Sequence, residues 1–302
     1  MIAMLTALLE VMLPVFVIAG VGFLLARRFT IDQLSLNKIQ LYALTPALAF
    51  SSIMDTSVSA SDVGDLARGY LGATLVLGLV SAVAVRMLAK PVRNGVIASV
   101  LLGNNGNFGL PIALLALGQS GLDRAIVIFM IAIVLIWTVG PVLFGAAPSV
   151  RSALVNIARL PVIWAILLAT VFRLVGIELP GGLSTAVHMV GNASVPMILI
   201  ALGIQLGYGK RVRFGKTVIT AMLLKLIVAP LLGWGVCWLL GLRGQDLQSV
   251  VLALSMPTAV NVFLLALEYD KDAETIASIV AATTLVSLVT ISIVVSQLGA
   301  LV

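Results

Sequence analysis

Three asparagines, three glycines spaced three apart and a proline stand together in GNNGNFGLPI, residues 103–112, inside a long apolar run. Gly103, Gly106 and Gly109 weaken a helix, and Pro111 removes the usual donor to the carbonyl of Asn107, so a helix should break here. A second stretch, SMPTAVNVF, repeats the theme: Pro257 frees the carbonyl of Ala253, and Ser255, Thr258 and Asn261 lie three apart, as on one helix face. Carboxamides both donate and accept hydrogen bonds, and half-helix N-termini carry partial positive charge. Two such breaks meeting at mid-depth would suit a small anion. The alternative is that Asn104, Asn105 and Asn107 only tie helices together.

Other residues invite chemistry less strongly. Lys225 falls near the centre of an apolar stretch, TAMLLKLIVAPLLGW. Burying it charged costs from about 3 to more than 10 kcal/mol. It must therefore face a partner or a wet cavity, or be neutral, and a lysine that alternates between these states could carry a proton; the alternative is a structural lysine bonded to carbonyls freed at the break. Glu10, near one end of the first apolar stretch, reads as interfacial. His188 is the one histidine, and one imidazole makes no metal site. Gln119 and Met256 lie close enough in sequence to the breaks to reach the site. Cys237 is the single cysteine, which excludes an intrachain disulfide and a cysteine metal cluster. Neither cofactor nor metal is expected.

The elements that must position these residues are membrane helices. The chain of 302 residues is 61% hydrophobic and 10% charged, far from the composition of soluble domains. Apolar stretches of about twenty residues, each enough to cross a bilayer, recur near 5–26, 35–54, 66–88, 95–118, 124–146, 160–177, 184–206, 214–240, 247–267 and 273–298. Ten spans are the expectation, in an all-α membrane protein without a cleaved leader or a soluble domain. Basic residues gather in the odd-numbered connections, among them Arg27, Arg28, Arg86, Lys90, Arg93, Lys210, Arg211 and Arg213, which puts both termini outside the cell membrane. The net charge of +6 is thereby explained without nucleic acid. The acids Glu268, Asp270, Asp272 and Glu274 read as a solvated loop.

Proline spacing suggests a repeat. Pro14, Pro46 and Pro111 recur as Pro161, Pro196 and Pro257, half a chain apart, in the first and sixth, second and seventh, and fourth and ninth spans. An odd number of spans per half forces the second half, 151–302, to insert upside down relative to the first, 1–150. Two inverted five-helix repeats are the architecture of secondary transporters, whose sites lie where interrupted helices meet.

GNNGNFGLP resembles the GN-x-GN-x-GLP signature of the auxin efflux carrier family, which includes plant PIN-type carriers and bacterial permeases linked to malate and malonate. VPMILIALGIQL, residues 195–206, and SMPTAVNVFLLALEY, residues 255–269, are similar to that family's later motifs. The resemblance implies a ten-helix fold like that of bile-acid symporters, with helices 4 and 9 crossing at their prolines. Helices 1, 2, 6 and 7 would form a scaffold, and helices 3–5 and 8–10 a transport domain moving by an elevator stroke. Pro111 and Pro257 match the crossover prolines, and Asn104 and Asn107 the asparagines near the substrate. The third span, RGYLGATLVLGLVSAVAV, lacks the acid and lysine of plant members, and their long loop is replaced by FGAAPSVRSALVN. A bacterial organic-anion permease is therefore favoured over an auxin carrier. The expected substrate is a mono- or dicarboxylate, with Asn104, Asn107, Pro111, Ser255, Pro257, Thr258 and Asn261 at the site, Lys225 as a proton-coupling group, and a homodimer by analogy. A ligand sensor on the same fold and a channel remain alternatives; an enzyme is not expected, since no zinc motif, aspartate pair or serine–histidine arrangement occurs in the spans.

Overall fold

A computed structural model describes residues 11–146, 149–208 and 212–299; Glu10, Lys210 and Arg211 lie outside the described residues. The chain is nearly all helical. Among the described residues five helices are long and apolar enough to cross a membrane: Ala60–Met87, Asn105–Leu143, Gly181–Gly207, Lys216–Leu239 and Ala273–Leu298. The pair Val150–Ala158 and Pro161–Val175, bent by 76°, makes a sixth if taken as one span. At 39 residues, Asn105–Leu143 would reach about 58 Å if straight, roughly twice the hydrocarbon thickness, but it breaks at Gly118 (φ 69°, ψ −164°). Shorter segments occupy the remaining hydropathy stretches: Leu13–Arg28, 33–55, Lys90–Leu101, Gly244–Leu254 and Val260–Glu268.

Three wide, π-type turns lie wholly within the described residues, and each time a proline follows. The turns are Gln40–Leu44 before Pro46, Asn105–Gly109 before Pro111, and Leu224–Val228 before Pro230. A proline ring collides with the carbonyl four residues back. One extra residue in the turn moves that carbonyl aside, so bonds of i to i−5 form: Thr45 N–H to Gln40 O, Gly109 N–H to Asn104 O, and Ala229 N–H to Leu224 O. Such turns cluster at functional positions. Polar ends are capped in the ordinary way. Asp32 accepts from Leu34 N–H at 3.0 Å and Ser35 Oγ at 2.6 Å; the Ser35 hydroxyl, then the Leu34 amide, hold its carboxyl below the usual carboxylate range. Asp272 accepts from Thr275 N–H at 3.0 Å at the head of the last helix, and Glu274 pairs with Arg213 at 2.5 Å. Those two acids of the 268–274 loop thus hold specific partners.

The helices pack as two sets. In the first, Leu13–Arg28 lies along Ser194–Gly207, and Thr45–Asp55 lies against Pro161–Val175 and Gly181–Asn192. Phe50 and Phe172 meet edge to face, with ring centres 6.0 Å apart. In the second, Ala60–Ala84 packs on Ala229–Leu239, Gly244–Leu254 and Lys90–Leu101, Leu110–Leu143 with its Asn105–Gly109 turn packs on Gly244–Leu254 and Ala60–Ala84, and Ala273–Leu298 packs on Val260–Glu268 and Lys216–Leu223. The bulk of the large, fully buried side chains lies in this second set, including Tyr70, Phe108, Leu110, Ile126 and Lys225.

Within a bilayer, helices gain little from hydrophobic burial against one another, so close contact between small residues carries the association. A Cβ on Gly203 would sit 1.8 Å from the Ala19 carbonyl oxygen, and one on Gly22 would sit 2.1 Å from Ile200 O. Backbone cannot yield to such contacts cheaply. Gly203→Ala is therefore expected to cost at least about 1–3 kcal/mol, the range of overpacked cores. Gly20→Ala, with nothing within 4 Å, should be tolerated. Thermal midpoints and the monodisperse fraction of the two variants in detergent will separate them.

Candidate functional site

Both predicted breaks are present, and they touch. The helix from Lys90 ends at Leu101 and the next turn begins at Asn105; Gly244–Leu254 ends and Val260–Glu268 begins in the same manner. Between them the two extended stretches run antiparallel at Gly103 and Thr258. Asn104 N–H donates to Pro257 O at 2.7 Å, and Ala259 N–H donates to Leu102 O at 2.9 Å. Main-chain groups that leave a helix inside hydrocarbon must find partners within the protein. Here each break supplies the other's.

Side chains finish the junction. Thr258 Oγ1 donates to Ser99 O at 2.8 Å, and Thr258 N–H donates to Thr283 Oγ1 at 3.2 Å. Ser255 Oγ turns back to Val251 O at 2.7 Å. Asn105 Nδ2 donates to the Tyr70 hydroxyl at 2.8 Å. Ser255, Thr258, Asn105, Asn104, Pro111 and Pro257 are buried, whereas Asn107 and Asn261 are exposed. The expectation that Ser255, Thr258 and Asn261 share one helix face is corrected: residues 256–259 are not helical, the 3.6-residue phase is lost across them, and only Asn261 turns outward. The Ala253 carbonyl keeps a long bond from Met256 N–H, 3.3 Å, in place of the one Pro257 denies it. The Asn105–Gly109 turn packs against Ser194–Gly207 of the first set, and Asn107 is the one exposed residue of that turn.

Lys225 is 1% exposed, within the Leu224–Val228 turn. A Cβ on Gly103 would lie 3.0 Å from Lys225 Nζ, 3.4 Å from Asn105 Nδ2 and 3.7 Å from Ala253 O. The amine therefore sits directly beside the crossing, where a side chain larger than hydrogen at position 103 would crowd it. None of the ion pairs among the described residues includes Lys225. A cavity of about 10 Å³, the size of one water, is bordered by Asn105, Gly109, Ser249, Ala253 and Met256, and Asn105 and Ala253 also flank Gly103. Asn105 Oδ1 and Ser249 Oγ, both buried, have no hydrogen-bond partner in the protein. A larger cavity of about 170 Å³ lies elsewhere, at the helix ends around Lys90, Phe144 and Lys271, and contains no residue of the crossing.

The remaining candidates separate. Met256 is fully buried in the junction. Gln119 does not reach the crossing; its Nε2 donates to Asp123 Oδ1 at 3.0 Å. His188 pairs with Asp55 at 3.4 Å, both side chains exposed. Tyr70, Ser99 and Thr283 were missed in the sequence, where a lone hydroxyl in an apolar helix carries no signal of its own. Asp123 was missed because the hydropathy span begins after it.

A nearly all-helical bundle with apolar spans and two interlocked breaks defines a membrane transport protein, and comparison with known sequences agrees. The profile of the family described as "Membrane transport protein" matches residues 7–152 and 146–295. The chain belongs to this family, that of the auxin efflux carriers. It is similar to a transporter of Methanothermobacter thermautotrophicus, 28% identical over 93% of this chain and 95% of that one. It also resembles a Rhizobium meliloti protein described as "Putative malonate transporter", 27% identical over 93% and 92% of the two chains. The transporter YfdV of Escherichia coli is 27% identical over 88% and 90%.

Proposed function

We propose that the protein is a secondary active transporter that carries a small organic anion, a mono- or dicarboxylate, across the cell's inner membrane by an elevator-type alternation of access. The observation that carries this reading is the bridged crossing at Gly103 and Thr258, with the Lys225 amine beside it and Asn107 exposed on the adjoining turn. The arrangement offers amide donors, half-helix ends and a cation to a negative guest, which Asn104, Asn107, Asn261 and the Pro111 and Pro257 breaks would hold. A relative whose description names malonate points the same way.

In this proposal the chain comprises ten spans in two inverted halves, 1–150 and 151–302, with both termini outside. The paired prolines support it, as do the two successive segments, 7–152 and 146–295, that match the family profile. The first helix set is the scaffold and the second the moving transport domain; the seam between them is thin, and the second set holds most of the core. Lys225 couples transport to protons, and two copies form a dimer. Catalysis has no part in this reading.

Purified protein in liposomes tests it. Loaded with malonate, malate or indole acetate, the vesicles should take up at least one labelled carboxylate faster when the same anion is inside, and an imposed proton gradient should change the rate. Flux without trans-stimulation would mean a channel. Tight binding with no flux would mean a sensor.

A further inference from the structure

The connection between the two sets carries an unpartnered apolar face. Leu110–Leu143 of the second set passes to Pro161–Val175 of the first through the nine-residue helix Val150–Ala158, which packs on both. Ser149 caps it, accepting from Ser152 N–H at 3.1 Å. Ala153 turns inward, whereas Val150 and Leu154 are 78% and 60% exposed. At 3.6 residues per turn these two share one side with Ala158, also exposed, and Ser152 lies about 200° round from Val150. Arg151 falls on the border of the apolar strip, and Arg159 on the polar side.

Three features say what covers that strip. The short helix is bent by 76° from Pro161–Val175, so with the latter entering the bilayer the former runs close to the membrane plane. At about 14 Å it is too short to cross in any case. Trp164, largely exposed, closes the bend by donating from Nε1 to Ala158 O at 2.7 Å, and tryptophans with one apolar and one polar side gather at the level of the headgroups. Arg151 and Arg159 are exposed and belong to none of the ion pairs among the described residues. Basic residues gather on this side of the bundle, since Phe144 and Gly145 at the end of Leu110–Leu143 border one cavity with Lys90 and Lys271. Asp272, the acid in that lining, is engaged in capping its own helix.

On the strength of the membrane spans alone, and independently of the transporter reading, we propose that Val150–Ala158 is an interfacial anchor for anionic lipid. Val150, Leu154 and Ala158 face the acyl boundary, and Arg151 and Arg159 bind headgroup phosphates. A helix so placed sinks its apolar side about 5–10 Å into that boundary while its arginines reach back to the headgroups. An anionic leaflet favours each such cation about fivefold, an advantage that salt screens. Seated there, the helix holds the chain between the two sets against the membrane surface.

The test uses the full chain in liposomes, with a bimane fluorophore at Leu154→Cys in a Cys237→Ala background. Phospholipids brominated on their chains quench the fluorophore on contact. Brominated phosphatidylglycerol should quench at least about fivefold more strongly, mole for mole, than brominated phosphatidylcholine. Arg151→Gln together with Arg159→Gln should bring the two lipids level and leave quenching by phosphatidylcholine unchanged. A fluorophore at Ser152→Cys should be quenched by aqueous acrylamide and not by the lipids, and Val150→Cys repeats the measurement if Leu154→Cys expresses poorly. A fluorophore at 154 that acrylamide reaches and brominated chains do not overturns the proposal. So does one that neither reaches, which would mean that a second copy or another protein covers the strip. Equal quenching by the two lipids before the arginines are changed overturns the anionic preference. Malonate counterflow enters none of these readouts, so its absence refutes transport of that anion and leaves the anchor standing.

Discussion

Lys225→Met abolishes transport, by at least about a hundredfold, and leaves the protein as stable as the parent or more so. A hundredfold loss corresponds to about 2.7 kcal/mol, well within the cost of mishandling a charge at bilayer depth. The two halves of the expectation have separate causes. Methionine matches the length of the lysine stem and carries no charge, so the substitution keeps the packing and removes the cost of holding an unpaired amine away from water. The amine is 1% exposed and in no ion pair among the described residues, so the fold gives up little with it. A guest at the crossing, by contrast, loses the cation beside Gly103. Counterflow and thermal unfolding on the same preparation distinguish the cases: a merely structural lysine would lose heat stability and transport together. Unchanged transport with an unchanged pH profile would remove Lys225 from the coupling mechanism altogether.

The second large effect is expected on the Asn105–Gly109 turn. Asn107→Asp should cut uptake of a carboxylate between about fivefold and a thousandfold, because two like charges 4 Å apart repel by about 1 kcal/mol in bulk water and about 4 kcal/mol at an effective dielectric of 20. Asn107 is exposed, so the aspartate needs no partner to fold, and expression should be normal. Asn107→Ala, which removes hydrogen bonds without adding charge, should lose less. The sign makes the experiment decisive about the guest. A cationic substrate would be taken up better by the aspartate variant, and an apolar one would hardly notice it.

These variants share one geometry, and much of it could be read from residue order. The glycines and proline of 103–111 and the proline at 257 disable local hydrogen bonding wherever they are placed, so the breaks were legible. So was the depth of Lys225, because a lysine amid TAMLLKLIVAPLLGW has no local escape to water. The directions of individual side chains were not. Asn104, Asn105 and Asn107 look equivalent in sequence, yet Asn105 bonds Tyr70, Asn104 is buried with its amide on Pro257 O, and Asn107 alone is exposed. Ser255 and Thr258, grouped with Asn261 by spacing, spend their hydroxyls on Val251 and Ser99 carbonyls. Once a helix breaks, periodicity no longer reports direction.

The sequence by itself determined the membrane class, the family, the places where helices must fail and the depth of Lys225, since these depend on backbone chemistry and on transfer from water, which are local. Only the tertiary structure decided that Gly103 faces Thr258, that the Lys225 amine fills the space beside Gly103, that Gly203 lies on the Ala19 carbonyl, and that Asp123 reaches across to Ser52. Those contacts join residues tens to hundreds of positions apart, and the packing of two helix sets, not any property of a short stretch, brings them within bonding distance.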